Sequence, residues 1–389
     1  NVERVNVDNE FQVTFHLKAP QPSLLAFLAA GWSAIYPCHV PPPQMRRHPI
    51  GTGPFKFVEL KSNERVRLEK NRDYWKPGRP YVDAIEHSII ASRATRMLAF
   101  TAGRADMTFP SEVTVPLLNN LMKELPTAQC TLRPLGVTYN VIINRDVAPF
   151  DDARLRTALA LTIDRKAVAD IVSEGKDLIG GSMLPPPAGV WGVGPDALKD
   201  LPGYGGDITA AREKARALMR EAGYGPDKRL KIKVSTRNTA SYTDQSVILI
   251  DHLKHIYIDG ELETIESGVY FNRLYQKKYT VVVNATGSSL DDPDQHYAEN
   301  YGCGAPRNFN GYCSPALTAL IGAQSRERDV GTRRGIVREI ERKLAEDIVR
   351  PIITHPVAAA CQQPYVKGLT IMVNSIYNGW RYEDVWLDR

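Results

Sequence analysis

The stretch Gly51–Tyr81, GTGPFKFVELKSNERVRLEKNRDYWKPGRPY, decides the fold prediction. It opens with a Gly-Thr-Gly-Pro turn, in which glycine permits positive φ and proline fixes the direction in which the chain leaves. Two strand-like runs follow, Phe55–Leu60 and Arg65–Lys70, with a polar turn between them. Apolar and charged residues alternate in the second run, which is typical of a sheet with one solvated face. The stretch therefore predicts a β-hairpin followed by the aromatic pair Tyr74 and Trp75.

The same residues resemble the signature of family 5 extracellular solute-binding proteins, the peptide- and nickel-type binding components of ABC importers. The resemblance rests on the GTGP turn, the charged hairpin, the Asn-x-Asp-Tyr-Trp motif and the following Pro-Tyr-x-Asp. It implies an α/β fold of the two-lobed type II periplasmic-binding class, with mixed sheets and a hinge. Residues 1–139 plus 356–389 are expected to form lobe I, and residues 140–355 are expected to form lobe II.

Composition and charge exclude several other classes of protein. The chain has 389 residues, of which 43% are hydrophobic and 24% charged, enough for two or three globular domains. The formal charge is +5, but basic and acidic residues are interspersed, so we expect no nucleic-acid partner. No apolar run approaches the roughly 18 residues that a transmembrane helix needs.

The first residues read as a strand pair, with alternating valines in one run and Phe11, Val13, Phe15 and Leu17 in the next. Family members usually carry a large block of lobe I before this point. The resemblance therefore implies that an N-terminal portion of lobe I is missing, cleaved or on another chain.

The order of elements between Leu230 and Asn284 predicts strand, helix, strand, helix, strand. Such an alternation indicates a mostly parallel sheet with helices on its faces. Its first helix, Tyr242–Ile258, is expected to bury Val247, Ile250, Leu253 and Tyr257. Further on, Ser325–Ile348 is predicted as one charged helix stopped by Pro351. The segments 352–360 and 366–373 are predicted as strands.

The five cysteines indicate one possible disulfide. Cys303 and Cys313 flank a loop rich in glycine, asparagine and proline. In an oxidising compartment, a bond between them would contribute about 3 kcal/mol by the chain-entropy estimate. Two unpaired thiols are the alternative, and the pairing of Cys38, Cys130 and Cys361 stays open.

Motifs of catalysis and of metal binding are absent from the sequence. There is no GxSxG, HExxH, P-loop or GxGxxG motif after a strand, so no catalytic residue, cofactor or metal is predicted. His252 and His255 lie three residues apart, but a solvated helix face explains that spacing better than a metal does. Asp291, Asp292 and Asp294 lack the glycine and glutamate spacing of a calcium loop, and we expect them to cap a helix or line a cleft.

The segment Asn284–Asp294 is the main candidate for ligand binding, because ligands of open α/β sheets gather beyond the carboxyl ends of strands. In the peptide-binding members that the chain resembles, this loop reads Gly-Trp-x-x-Asp…Asp-Pro-Asp, and its first aspartate receives the α-ammonium of the peptide. Here Ala285 stands in the place of the tryptophan, and Ser288 or Ser289 stands in the place of the aspartate.

A buried ammonium without a carboxylate costs several kcal/mol. The ligand therefore either lacks a free amino terminus or recruits Asp291 or Asp292, unless the two serines merely close a turn. Weaker candidates are Trp191 for stacking, Tyr139-Asn140 near the predicted hinge, and His355 beside the cleft. The alternatives are a core position for Trp191, structural strand positions for Tyr139-Asn140, and a core or surface histidine for His355. The predicted ligand-binding residues are Ala285, Ser288, Ser289, Asp291, Asp292, Trp191, Tyr139, Asn140 and His355.

The resemblance implies a monomeric periplasmic protein, secreted by a signal peptide outside this chain, that captures a peptide-like or other small polar solute between its lobes. The closed form would deliver the solute to the permease subunits of an ABC transporter. The solute stays open among peptides, opines, sugar-like compounds and metal chelates. The alternatives are a hydrolase or other enzyme acting on a small polar substrate, and a surface scaffold.

Overall fold

The computed structural model describes residues 1–109, 111–373 and 380–389. The chain divides into two compact units. Unit 1 comprises Asn1–Phe27 and Gly136–Pro356, and unit 2 comprises Leu28–Leu135 and Val357–Arg389. This division groups the first 27 residues with unit 1, whereas the sequence assigns them to lobe I. The lobe boundaries stay a prediction.

Strands and helices alternate along most of the described chain. The strands are β1 (Val2–Asn9), β2 (Gln12–Leu17), β3 (Phe55–Lys61), β4 (Arg65–Lys70), β5 (Ala84–Ser88), β6 (Gln129–Pro134), β7 (Val137–Ile143), β8 (Leu230–Arg237), β9 (Ile258–Ile265), β10 (Val281–Gly287), β11 (Ile352–Thr354), β12 (Val357–Gln362), β13 (Val366–Lys367) and β14 (Trp386–Leu387). The helices are α1 (Leu24–Ala29), α2 (Pro42–Arg47), α3 (Arg93–Thr101), α4 (Val115–Glu124), α5 (Ala153–Thr162), α6 (Arg165–Ser173), α7 (Ile208–Glu221), α8 (Ala240–Lys254), α9 (Ser267–Tyr275), α10 (Pro293–Asn300), α11 (Pro315–Arg326) and α12 (Val330–Glu346).

Unit 1 is built on a five-stranded sheet in the order β11-β7-β10-β8-β9. Strand β8 is parallel to β9 and β10, but β7 is antiparallel to both β10 and β11. The prediction of a mostly parallel sheet is therefore confirmed for β8, β9 and β10, the strands on which it rested, while β7 makes the sheet as a whole mixed. The alternation along the sequence covers only β8 to β10, whereas β7 and β11 enter the sheet from distant parts of the chain.

Helix α8 packs on the sheet largely as predicted, with Leu253 buried and Ile250 partly buried against the same core, and Val247 is the exception. Leu249 and Leu253 are buried, as are the polar side chains of the same face, but Val247 is 54% exposed. His252 lies on the buried face, so the prediction of a solvated position for it is wrong. Packing against α5 explains this, because the Thr162 hydroxyl donates to the carbonyl of His252 at 2.9 Å.

A second core joins α10, α11 and α12, with Tyr297, Leu317 and Ile340 fully buried. The single helix predicted from Ser325 to Ile348 is wrong, because the backbone turns to extended geometry at Glu327. Asp329 then starts α12 by accepting a hydrogen bond from the Thr332 amide at 2.8 Å. The helix ends at Glu346, before Pro351.

Unit 2 contains the hairpin expected from the opening stretch, and that prediction is confirmed. Strand β3 pairs with β4 from Phe55↔Lys70 to Lys61↔Arg65, and β5 adds a third strand. A second pairing, β6 with β12, carries a disulfide between the facing residues Cys130 and Cys361.

The strand predicted for 366–373 is wrong beyond its first two residues. Only β13, Val366–Lys367, forms, and it pairs with β14. Gly368 follows with φ of +77°, and a Cβ at this position would lie 2.0 Å from the carbonyl oxygen of Asp384. This close approach favours glycine and ends the strand.

Across the described ranges, every helix is too short or too polar to span a membrane.

Candidate functional site

The two serines of the candidate loop form the turn that leads from β10 to α10. The hydroxyls of Ser288 and Ser289 both donate to Oε1 of Gln295, at 3.1 and 2.9 Å. The Ser288 Oγ also accepts a hydrogen bond from the Leu290 amide at 3.2 Å. The hydroxyl protons of both serines are therefore engaged inside the loop.

Asp292 is held by a buried ion pair. Its two carboxylate oxygens receive both terminal nitrogens of Arg333, at 2.9 and 2.7 Å. The same carboxylate caps α10 by accepting from the Asp294 amide at 2.9 Å. Helix capping, which we expected of these aspartates, is confirmed for Asp292.

The two other aspartates of this segment also have partners. Asp291 accepts from the Val190 amide at 2.8 Å, and burial raises the pKa of its carboxyl. Asp294 accepts from the Ser23 hydroxyl at 2.6 Å and from the Gln21 amide at 3.1 Å.

Trp191 lies beside this segment. Its ring is half-buried, and the guanidinium of Arg333 lies 4.6 Å from the ring centroid. The same arginine therefore holds Asp292 and stacks on Trp191, a contact favoured by the negative face of the indole. The Val190 amide also bonds to Asp291, next to Asp292. Both contacts hold the loop that carries Val190 and Trp191, here called the tryptophan loop, against the segment 284–294.

Asn140 belongs to a buried polar network under the end of β10. Its amide nitrogen donates to the hydroxyl of Thr286 at 3.0 Å. The same hydroxyl accepts from Asn284 at 3.1 Å and from Arg350 at 3.2 Å. Arg350 is buried and also donates to Asn300 at 3.1 Å. The network fixes the path of β10 just before the candidate loop.

Tyr139 lies directly opposite Ala285 in the antiparallel pairing of β7 with β10. Its ring packs edge-on against Tyr242 at 5.9 Å, and Tyr242 packs against Tyr270 at 6.2 Å. Tyr139 and Ala285 are thus brought together beside an aromatic ladder at this end of the sheet.

His355 is not brought to the segment 284–294, because its contacts are with the segment 178–181. It forms a β-bridge with Leu178, and its Nε2 lies 3.0 Å from the carbonyl oxygen of Gly181. Desolvation lowers the pKa of this fully buried imidazole to about 4. The ring is therefore neutral at pH 7, and its Nε2–H donates to the carbonyl.

Sequence reasoning missed a buried carboxylate, Glu341 on α12. It accepts hydrogen bonds from the Ser182 amide and hydroxyl, the Met183 amide and the Tyr297 hydroxyl, at 2.5, 2.7, 3.2 and 2.6 Å. Its position four residues after Val337 and three before Leu344, both buried, was the available signal. Glu341 and Arg350 line a cavity of about 20 Å³, enough for about one water molecule.

The part of the chain that the structure describes contains two disulfides and no candidate metal site. No group of three histidine, cysteine or acidic side chains there could hold a metal ion. Cys303 and Cys313, the pair suggested by the sequence, are joined by a disulfide, as are Cys130 and Cys361. Cys38 is free and exposed.

The family of this chain follows from its match to a sequence model of a protein family. The model of the bacterial extracellular solute-binding proteins, family 5, matches residues 1–308. The chain belongs to this family. The resemblance seen in the GTGP hairpin is confirmed.

The curated relatives of this family 5 chain include several peptide-binding proteins. It is similar to the periplasmic oligopeptide-binding protein OppA of Salmonella typhimurium, with 26% identity over 82% of this chain and 58% of the relative. Di/tripeptide-binding protein 2 of Pseudomonas aeruginosa is 25% identical over 94% of this chain and 69% of the relative. Heme-binding protein A of Haemophilus influenzae is 31% identical over 58% of this chain and 39% of the relative. The chain thus spans only part of the length of these relatives.

Solved structures confirm the fold class, a two-lobed α/β fold with mixed sheets. The periplasmic binding protein DppA of Helicobacter pylori, in complex with the peptide STSA, matches with a TM-score of 0.84 and 22% identity, over 100% of this chain and 74% of that chain. NikA of Staphylococcus aureus, in complex with Ni(L-His)2, matches with a TM-score of 0.83 and 18% identity, over 99% of this chain and 79% of that chain.

Proposed function

We propose that this family 5 chain is the solute-binding component of an ABC importer. It captures a peptide-like or other small polar solute reversibly and delivers it to a membrane permease. The observation that carries the proposal is the family match over residues 1–308, together with curated relatives named for binding oligopeptides and di/tripeptides. The two disulfides favour the oxidising periplasm as its compartment.

We place the solute contact of unit 1 at the segment 284–294 and the adjoining Trp191. This segment includes the carboxyl end of β10 and the turn after it, where ligands of open α/β sheets bind. Trp191 supplies a flat apolar face for stacking. Ala285 and Tyr139 supply a small residue and an aromatic one on neighbouring strands. Asn140 and His355 act on the solute indirectly in this proposal, because both are fully buried.

A thermal-shift screen tests the proposal on the purified chain, with pools of di- to pentapeptides, heme and a nickel–histidine complex as probes. A solute at about 100 times its dissociation constant should stabilise the native state by about 2.7 kcal/mol. Native mass spectrometry should then recover the bound solute intact. A chemically altered solute would instead support an enzyme, and a flat screen with no co-purified molecule would contradict solute binding.

A further inference from the structure

A small cavity in unit 1 has an excess of positive charge in its wall. Its volume is about 20 Å³, and all of its lining residues lie between Ala160 and Ile352. Two arginines, Arg165 and Arg350, line it together with a single acidic side chain, Glu341. Because arginine keeps its proton at any physiological pH, the wall carries two positive charges against at most one negative charge.

Arg165 of α6 is buried without an acidic partner in the part of the chain that the structure describes. Its guanidinium donates to the carbonyl oxygens of Ile352, at 2.8 Å, and of Gly203. The Cζ of Arg165 also lies 4.1 Å from the ring centroid of Tyr204, which lines the same cavity. Carbonyl oxygens and an aromatic face supply partial negative charge, but none of them balances a full positive charge. Burial therefore lowers the pKa of Arg165.

Arg350 is also buried, and its hydrogen-bond acceptors are all neutral. Its two terminal nitrogens donate to the Thr286 hydroxyl at 3.2 Å, to the side-chain oxygen of Asn300 at 3.1 Å and to the carbonyl oxygen of Arg307 at 3.0 Å. Its buried Nε has no hydrogen-bond partner among the described residues. Burial lowers the pKa of Arg350 as well. The cavity thus adjoins a second guanidinium that lacks a counter-charge.

Glu341 does not balance the two arginines. Its oxygens accept hydrogen bonds from Ser182, Met183 and Tyr297. Burial raises the pKa of this carboxyl, which limits the negative charge that it supplies. An excess charge inside a protein is costly unless a counter-charge accompanies it. A water molecule fits the volume of the cavity but brings no charge, whereas a monatomic anion brings one.

We propose that this cavity is a binding site for a monatomic anion, chloride or a halide of similar size, which Arg165 and Arg350 hold. The volume excludes polyatomic anions such as sulfate, since it admits about one water-sized sphere. The site is separate from the proposed solute contact, because none of the residues 284–294 lines the cavity. The anion stabilises unit 1 from within.

Urea denaturation of the intact chain tests the proposal, with sodium chloride, sodium bromide and sodium gluconate titrated at equal, low ionic strength. A halide at about ten times its dissociation constant should shift the folding equilibrium about elevenfold towards the native state. Gluconate is too large for the cavity and should give no such shift. Crystals grown in bromide should show an anomalous peak inside the cavity. Equal stability in all three salts, or bromide peaks only elsewhere, would overturn the proposal and leave water as the occupant.

A variant with one arginine removed gives a second measurement. Arg165→Met takes one positive charge from the wall and should weaken halide binding about tenfold or more. Arg338→Met, at an exposed position of α12, is the matched control and should leave halide binding unchanged. Melting curves of both variants show whether they fold. Halide binding by Arg165→Met as tight as that of the native chain would contradict the proposal, and if this variant does not fold, the bromide peak of the native chain decides.

Discussion

A single buried carboxylate, Glu341, fixes the segment that carries Gly181, Ser182 and Met183. Four hydrogen bonds converge on it from backbone and side-chain donors. Gly181 is required beside it, since a Cβ there would lie 2.0 Å from the Glu341 Oε2. The tryptophan loop follows directly along the chain, so this carboxylate supports the candidate site through the backbone.

Glu341→Gln should lower the free energy of unfolding by about 1–3 kcal/mol. The amide keeps one acceptor oxygen and brings its own N–H donors, so at least one backbone amide of the Ser182–Met183 pair loses its acceptor. Urea denaturation measures the change. Glu339→Gln, at an exposed position of the same helix, should have an effect close to zero. Equal losses in the two variants would show that the buried contacts contribute nothing.

The ion pair of Asp292 with Arg333 should stabilise the fold far more than the exposed pair of Lys166 with Asp170. The side chains of Asp292 and Arg333 are 14% and 5% exposed, and those of Lys166 and Asp170 are 81% and 51% exposed. Arg333→Ala should cost about 3–5 kcal/mol, because it leaves a buried carboxylate without its partner. Lys166→Ala should cost about 0–1 kcal/mol. Double-mutant cycles in urea measure both couplings, and equal coupling energies would contradict this prediction.

At the residue scale, sequence reasoning reached the candidate loop but not the partners of its side chains. The pattern of serines and aspartates at 288–294 is local and visible in the sequence. Arg333 and Ser23 lie far away along the chain, and only tertiary packing brings them to Asp292 and Asp294. A charged residue on a helix and a serine before a helix look the same in sequence whether or not they reach such a partner.

At the scale of elements, local signals were reliable and long-range pairing was not. The hairpin β3–β4 was predicted because its turn and alternation lie within 16 consecutive residues. The pairing of β7 with β10 joins strands more than 130 residues apart, and no local pattern encodes its antiparallel direction. The break between α11 and α12 could not be seen in the sequence, because it falls among charged residues and its position, Glu327, is neither proline nor glycine.

The two disulfides link elements over very different lengths of chain, and their effects on stability should differ accordingly. Cys130 and Cys361 are 231 residues apart, whereas Cys303 and Cys313 are 10 apart. In the chain-entropy model, the first disulfide raises the free energy of unfolding by about 5 kcal/mol and the second raises it by about 3 kcal/mol. Replacing both cysteines of each pair by alanine should therefore destabilise the first variant more.

Guanidinium denaturation of the two double variants measures this difference. Cys38→Ser is the matched control, because this cysteine is exposed and free, and its effect should be close to zero. A larger loss for the Cys303/Cys313 variant would show that local packing outweighs loop closure.

At the scale of the whole molecule, three buried histidines make the stability of unit 1 depend on pH. Burial lowers the pKa of His252 and His355 to about 4 and that of His296 to about 3. All three are at most 6% exposed. Above pH 6.5 they are neutral in both the folded and the unfolded state, so their contribution to stability is fully present. Below pH 6.5 the unfolded chain takes up protons that the folded chain refuses, and stability is lost.

Each of these histidines should lower the free energy of unfolding by about 2 kcal/mol as the pH falls from 6.5 to 5, since one pH unit corresponds to about 1.4 kcal/mol per proton. Urea denaturation of the intact chain at pH 7.5, 6.5, 5.5 and 5.0 should show a plateau followed by a fall. His252→Gln should remove about a third of that fall, whereas His39→Gln, at an exposed position, should leave it unchanged. NMR should find the three buried imidazoles still neutral at pH 5. Stability that stays constant down to pH 5 would mean that these rings reach solvent or an anionic partner in the folded state.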